Sequence, residues 1–213
     1  LNYMAQDRAD LGFAVKELCR SMKDPSEADL INLKKLGRYL VGNQSVKVMY
    51  KWHMRIKEVE GYSDSDYAGG DKRTSTTGGV IMLGGVVLKS WSKQQKVIAL
   101  SSGEAELYAA VKLGCELMGV KSLAADFGLQ VDLHMYIDAK ATIGMLSRRG
   151  VGSLKHVETN TFWLQDVIRN RVVSLHKVHT DNNVADCLTK YLPQVKLQFL
   201  CNRMNYTFVP KAS

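Results

Sequence analysis

Between Gly78 and Asp138 the chain changes its apolar period twice, and this limits the folds open to it. "GGVIMLGGVVLKSWS" alternates as two strands joined by a tight turn at Gly84-Gly85. "SSGEAELYAAVKLGCELMGVKSLAADFG" then repeats at the helical period, with Ser101 or Ser102 as its cap and Gly128 near its end. "VDLHMYID" returns to a strand. Antiparallel strands followed by a long helix and another strand call for a crossover, and so for an α/β chain with a mixed sheet flanked by helices.

The flanks extend this pattern. "SVKVMYKW" and "IKEVEGYSDSD" alternate as strands, and "KVIAL" reads as a further short one. After "VDLHMYID" come the helices "AKATIGMLSRR" and "TNTFWLQDVIRN", the strand "RVVSLHKVHT", and a helix "NNVADCLTKYL" that Pro193 ends. Ahead of the sheet stands a helical hairpin. Its first helix places Leu11, Ala14, Val15, Leu18 and Met22 on one face. Its second has Asp24 as N-cap, Pro25 at the first helical position and Glu27 completing a capping box. Leu30, Leu33, Leu36, Leu40 and Val41 form its stripe, Gly42 its stop, and Lys34, Lys35 and Arg38 a basic outer edge. The expected division is a helical connector over 1–52, an α/β domain over 53–193 and a tail over 194–213.

The formal net charge of +8 and pI of about 9.3 favour a polyanionic partner, nucleic acid before an anionic membrane. No apolar run is long enough for a membrane span. Cys19, Cys115, Cys187 and Cys201 are far apart, without the spacing of a zinc knuckle or redox pair, which fits a reducing intracellular compartment. Leu1 falls in a helical lead-in, as in a piece of a longer polypeptide.

Acids gather at the ends of these elements. Asp64 and Asp66 close the strand in "EGYSDSDYAGG", Glu104 and Glu106 lie early in the long helix, Asp138 ends the strand after it, and Asp186 starts the last helix. Neighbouring parallel strands end on one side of a sheet, where the following helices begin, so these residues can converge. Clustered carboxylates require a cation, and ligands that are all oxygen select magnesium or manganese. Singly, each acid reads as a turn former or a first-turn acid favoured by the helix dipole. Periodicity does not choose within the pairs: Asp64 and Asp66 share a face of an extended strand, and Glu104 and Glu106 stand about 200° apart on a helix.

"GYSDSDYAGGDKRTSTTGG", "SWSKQQKVIALSSGEAELYAA", "YIDAKATIGML" and "NVADCLTKYLP" closely resemble, in this order, the ribonuclease H domain of copia-type retrotransposon polyproteins, over about residues 58–193. "RADLGFAVKELCRSMKDPSEADLINLKKLGRYLVG" resembles the segment that follows the reverse transcriptase in the same polyproteins. The resemblance implies a ribonuclease H-like fold, with a mixed five-stranded sheet in the element order βββαβαβα. It implies that Asp64, Glu106, Asp138 and Asp186 are the catalytic acids and hold two magnesium ions, with manganese as a substitute. Asp66 and Glu104 would be supporting residues. His179 lies near a loop histidine that aids product release in cellular ribonucleases H. The other histidines, His53, His134, His156 and His176, read as strand or edge residues without a metal. Arg73, Thr74, Ser75 and Thr76 in "DKRTSTTGG", with Ser92, Lys93, Gln94 and Gln95 in "SKQQK", would contact nucleic acid, and Arg148, Arg149, Lys155 and His156 could extend the track. Glu158 and Asn160 depart from the family's usual aspartate and arginine.

The implied activity is hydrolysis of the RNA strand of an RNA–DNA hybrid during reverse transcription, by two-metal-ion catalysis, leaving a 5′ phosphate and a 3′ hydroxyl. The implied partners are that hybrid and a fused or associated reverse transcriptase, with no membrane. The expected location is the cytoplasm, within virus-like particles, with a nuclear stage at integration. Two readings compete: an inactive connection-like domain that only grips hybrid, and a DNA nuclease of the same superfamily.

Overall fold

In the computed structural model the Gly84-Gly85 turn forms as the sequence predicts, with positive φ at both residues, 60° and 80°. The model describes residues 1–50, 52, 57–69, 73–150 and 159–209 of the 213. Strands β3 (Thr76–Leu83) and β4 (Val86–Gln94) pair antiparallel through the turn. Strand β2 (Glu58–Asp66) pairs antiparallel with β3 on one side and parallel with β5 (Asp132–Ile137) on the other. Strand β6 (Val173–Lys177) pairs parallel with β5. The order β4-β3-β2-β5-β6 is the mixed five-stranded sheet of the ribonuclease H-like fold.

One face of the sheet is covered by α4 (Ser102–Asp126), whose Leu107, Ala110, Leu113 and Leu117 bury against Val59, Ile81, Leu133 and Met135. Helices α5 (Lys140–Ser147) and α6 (Thr159–Arg169) complete that layer through Leu146 and Leu164. Burial of such side chains stabilises by roughly 1.5–3 kcal/mol each, so this layer fixes the sheet on which the acids ride. The other face presents Tyr62, Val80 and Met82 to Val184, Ala185, Leu188, Leu200, Met204 and Tyr206.

Several expectations change here. Ser45–Val48 (β1) is not in the main sheet; it pairs antiparallel with β7 (Tyr206–Val209) near the C-terminus. "KVIAL" is loop, with Val97, Ile98 and Leu100 exposed, because it has no strand partner. "NNVADCLTKYL" is no α-helix but 3₁₀ turns over Thr180–Asn182 and Val184–Leu188. The Asn183 carboxamide drives this: it accepts from Ala185 N–H (3.2 Å) and donates to the Ser63 carbonyl (2.9 Å), bonds that compete with a regular helix start. The α-helix of this region, α7 (Gln194–Arg203), begins after Pro193. The tail is thus packed chain: Leu200, Cys201 and Met204 are fully buried, and Tyr206 Oη donates to the Asp7 carbonyl at 3.0 Å.

The hairpin comprises α1 (Met4–Asp7), a 3₁₀ turn Ala9–Leu11, α2 (Gly12–Arg20) and α3 (Glu27–Gly42). The N-cap of α3 is Ser26, two residues after the expected Asp24, with Asp29 as its capping-box partner. The reciprocal Ser26–Asp29 bonds satisfy donors at the helix end, and they set the N-cap one residue past Pro25. Leu36 of the expected stripe is buried, whereas Leu30, Leu33 and Val41 are exposed. Buried Asp10 ties the hairpin together, accepting from Arg8 at 2.6 Å and from Tyr39 Oη at 2.7 Å. Among the described residues no helix is long and apolar enough to cross a membrane.

Candidate active site

The parallel register of β2 and β5 explains how the first two acids meet. Their ladder ends with Tyr62 beside Tyr136. Asp64 and Asp138 each lie two residues further on, at equivalent heights with side chains on one face. Glu106 reaches them from the second turn of α4, whose start is fixed by Ser101 accepting from Glu104 N–H at 3.2 Å. Ser65 N–H, beyond the ladder's end, donates to Glu106 Oε1 at 3.0 Å and aims its carboxylate across the sheet. Ligand oxygens of Asp64, Glu106 and Asp138 all lie within 4.8 Å of one another.

Burial and mutual repulsion dominate the electrostatics of these acids. Burial pushes the Asp64 carboxyl up to about 7 against the pull of Lys190, with Asp186 adding to the rise, the Thr189 hydroxyl opposing it, and Asp138 adding further. Burial likewise raises Glu106 to about 8, reinforced by the charges of Asp64 and Asp138. Glu106 Oε2 is buried without a hydrogen-bond partner. A buried, unpartnered carboxylate oxygen is costly, and a hard divalent ion held by the three acids removes that cost. The donor set therefore fits magnesium or manganese.

Asp186 stands differently. It is fully buried at the start of the Val184–Leu188 turn and is not among the three converging acids. Its Oδ1 lies 2.8 Å from Lys190 Nζ and its Oδ2 accepts from Lys196 Nζ at 2.7 Å. Lys190 Nζ is also 3.8 Å from Asp64 Oδ2, so one ammonium bridges Asp186 to the cluster. Thr189 Oγ1 donates to Asp64 Oδ2 and also contacts the Asp186 carbonyl. Gly78 makes this approach possible. It pairs with Asp64 across the β2–β3 ladder, and a Cβ there would meet Thr189 Cγ2 at 2.7 Å and the Ala185 carbonyl at 2.9 Å.

The remaining candidates scatter. β2 runs on through Asp66, but that carboxylate folds over its own turn, where a Cβ on Gly69 would lie 1.9 Å from Oδ2. Glu104 serves the helix start, accepting from Leu100 N–H (2.8 Å) and Tyr108 Oη (2.9 Å). His179 is exposed; its Nδ1 accepts from Asp181 N–H at 3.3 Å and so caps the Thr180–Asn182 turn. His134 and His176 hydrogen-bond each other at 3.0 Å. Arg73, Thr74, Lys93 and Gln94 reach the surface where β3 begins and β4 ends, and Thr74 accepts from Gln94. Ser75 and Gln95 are corrected to interior roles: Ser75 is buried and accepts from Ala68 N–H at 3.1 Å, and Gln95 is buried and donates to Thr77 and the Ala105 carbonyl. Thr76 is buried and accepts from Lys16 of α2 at 2.9 Å, and Ser92 is half-buried. Arg148 and Arg149 lie after α5, whereas His53, Lys155, His156 and Glu158 lie outside the described residues.

Sequence reasoning missed Thr189, Lys190, Lys196 and Gly78. Thr189 and Lys190 follow Asp186 by three and four residues, a spacing that hints at contact. Lys196 stands beyond Pro193 in another helix, and nothing local marks it.

No protein-family model matches the chain. It is 31% identical over 205 residues to the Retrovirus-related Pol polyprotein from transposon TNT 1-94 of Nicotiana tabacum, covering 94% of this chain and 15% of that polyprotein. It is 28% identical over 214 residues to the corresponding polyprotein from transposon RE1 of Arabidopsis thaliana, covering 99% of this chain and 14% of the relative. The chain thus spans about one seventh of the length of these curated relatives. Among solved structures it is similar to LC11-RNase H1 in complex with RNA/DNA hybrid, at 17% identity and a TM-score of 0.45, over 62% of this chain and 93% of the other. With these relatives along nearly its whole length, the chain belongs to the Pol polyproteins of copia-type retrotransposons, as a segment with a ribonuclease H-like fold.

Proposed function

We propose that this segment is an endoribonuclease that hydrolyses the RNA strand of RNA–DNA hybrids, using divalent magnesium held by Asp64, Glu106 and Asp138, with Asp186 completing the site. The observation that carries this reading is the convergence of three carboxylates within 4.8 Å, one of them with a buried oxygen lacking any partner. When bound, such ions supply a nucleophilic water near neutral pH and neutralise charge on the departing oxygen. The chain's own residues supply the rest. Ser65 N–H holds Glu106 in its rotamer, and Thr189 keeps one Asp64 oxygen oriented. Lys190 places a fixed positive charge beside Asp64 that favours its ionised, ligating form.

Arg73, Thr74, Lys93 and Gln94 offer a cation-and-amide edge to phosphates, a contact indifferent to base sequence. Discrimination of RNA from DNA would come from 2′-hydroxyl contacts and groove shape. The net charge of +8 supports such a partner. On this reading the hairpin of residues 1–52 is the end of a reverse transcriptase, and the protein works in the cytoplasm within virus-like particles.

The test is digestion of matched RNA–DNA, RNA–RNA and DNA–DNA duplexes with and without magnesium, by the chain and by Asp64→Asn. Magnesium-dependent cutting of the hybrid's RNA strand is expected, lost in Asp64→Asn with hybrid affinity retained. Cutting of DNA duplex would favour the DNA nuclease, and binding without cutting the connection-like domain. Cleavage at wild-type rate by Asp64→Asn would remove Asp64 from the site.

A further inference from the structure

Four carboxylates lie at this end of the sheet, and two ammonium groups already stand among them. Lys190 spans Asp186 and Asp64 at 2.8 and 3.8 Å, and Lys196 holds the other Asp186 oxygen at 2.7 Å. With all groups ionised, two lysines against four acids leave a charge of minus two, which one divalent ion neutralises. A second divalent ion would then leave the neutral site with a charge of plus two unless the lysines withdrew.

We propose that Lys190 and Lys196 act as a built-in counter-cation beside Asp186, so that without nucleic acid the chain takes one divalent ion, and a second enters only as these lysines are displaced. This rests on the metal-dependent nuclease reading and specifies its regulation. It also gives α7, which lies outside the stretch resembling the nuclease domain, a part in the site. The displacement has a route. Both lysine side chains reach solvent, 42% exposed for Lys190 and 28% for Lys196, while Asp186 is fully buried and fixed. Lys196 has a second acceptor close by, the exposed Asp181 Oδ1 at 3.9 Å. A substrate phosphate arriving with its own negative charge would restore neutrality for the second ion, which couples ion entry to substrate. Lys190 and Lys196 are thus positioning residues that hold the place of an ion.

The test is manganese binding to the full chain without nucleic acid, read by calorimetry for stoichiometry and by electron paramagnetic resonance for coupling between paired ions. The wild type is expected to take one ion with an uncoupled spectrum. Lys190→Met with Lys196→Met keeps the apolar stems and removes both charges. It is expected to take a second ion at least roughly tenfold more tightly than the wild type and to show the coupled signal. The charge-conserving pair Lys190→Arg with Lys196→Arg should keep the one-ion behaviour. Should the double variant fail to fold, Asp186→Asn decides: it is expected to keep the first ion with affinity within about twofold of the wild type, because that ion does not use Asp186. Loss of the first ion in Asp186→Asn would overturn the proposal, as would an uncoupled one-ion spectrum in the double variant or two equal ions in the wild type. Failure of the wild type to bind any ion would instead remove the nuclease reading.

Discussion

The acids at the end of the sheet divide into two halves that satisfy their charge in opposite ways. Asp64 and Glu106 come from β2 and α4 and Asp138 from just past the end of β5, elements locked by the large α4-side core, and the three crowd together with one oxygen unpartnered. Asp186 comes from a short 3₁₀ turn on the opposite face of the sheet; its Oδ2 accepts from Lys196, and its Oδ1, though without a formal hydrogen bond, lies in ion-pair range of Lys190. The first half offers its oxygens without a cation of the chain bonded to Glu106 or Asp138 among the described residues, and the second carries its cations in the chain. Rigid elements can hold like charges close because their packing resists repulsion. The turn is itself packed on the sheet through Val184, Ala185 and Leu188, and the charge buried within it is tolerated because it is paired.

The largest expected effect breaks the open half. Glu106→Gln or Asp138→Asn should lower cleavage of hybrid by on the order of a thousandfold, several kcal/mol of transition-state stabilisation. Manganese affinity should fall with it, while hybrid binding in low salt changes little. Retention of ion binding in both variants would mean that the convergent acids are a structural cluster.

Next comes the joint between the halves. Gly78→Ala would push a methyl against the Ala185 carbonyl at 2.9 Å, a backbone atom that cannot rotate away. A loss of about 1–3 kcal/mol is expected, readable as a lower urea midpoint with unchanged slope. Cleavage should fall further than stability requires, because the Val184–Leu188 turn carries Asp186 and leads into Thr189. An unchanged midpoint would show that the turn need not lie on the strand.

The ion-free chain should lose stability as pH rises. Asp64 and Glu106 ionise in the fold near about 7 and about 8, above their ordinary values of 3.8 and 4.5. The folded state thus binds more protons than the unfolded chain, and the stability this adds is complete below about pH 4 and lost as pH passes 7 to 8. Magnesium binds the ionised acids and reverses the trend. Melting curves should show a magnesium-induced rise of several degrees at pH 8 and little at pH 5.5. Equal rises at both values would mean that these carboxyls do not titrate in that window.

How much of this could be read from residues alone follows from the range of each interaction. The β3–β4 hairpin was legible because Gly84-Gly85 is a local turn signal, and α4 because its cap and Gly128 bracket a helical period. The meeting of Asp64 and Asp138 was legible as strand ends on one side of a sheet. The partner of Ser45–Val48 was not, since alternation over four residues names no partner, and β7 lies more than 150 residues away. Reading "NNVADCLTKYL" as an α-helix failed because Asn183 bonds to Ser63, a contact across 120 residues that no period records. Lys196 was invisible for the same reason: its acceptor lies across Pro193 in another element.

The smallest effect belongs to Thr189, an uncharged side chain that, like Lys190, touches both halves. Thr189→Val keeps shape and removes the hydroxyl that donates to Asp64 and contacts the Asp186 carbonyl. That hydroxyl helps hold the Asp64 carboxyl down against burial, so without it Asp64 should ionise at still higher pH. The acid limb of the cleavage profile should move toward alkaline pH, with activity at pH 7 down about two- to threefold and recovered near pH 8.5. A uniform loss at every pH would instead mean that Thr189 positions Asp186 and leaves the ionisation of Asp64 untouched, and the two halves would then be coupled through Lys190 alone.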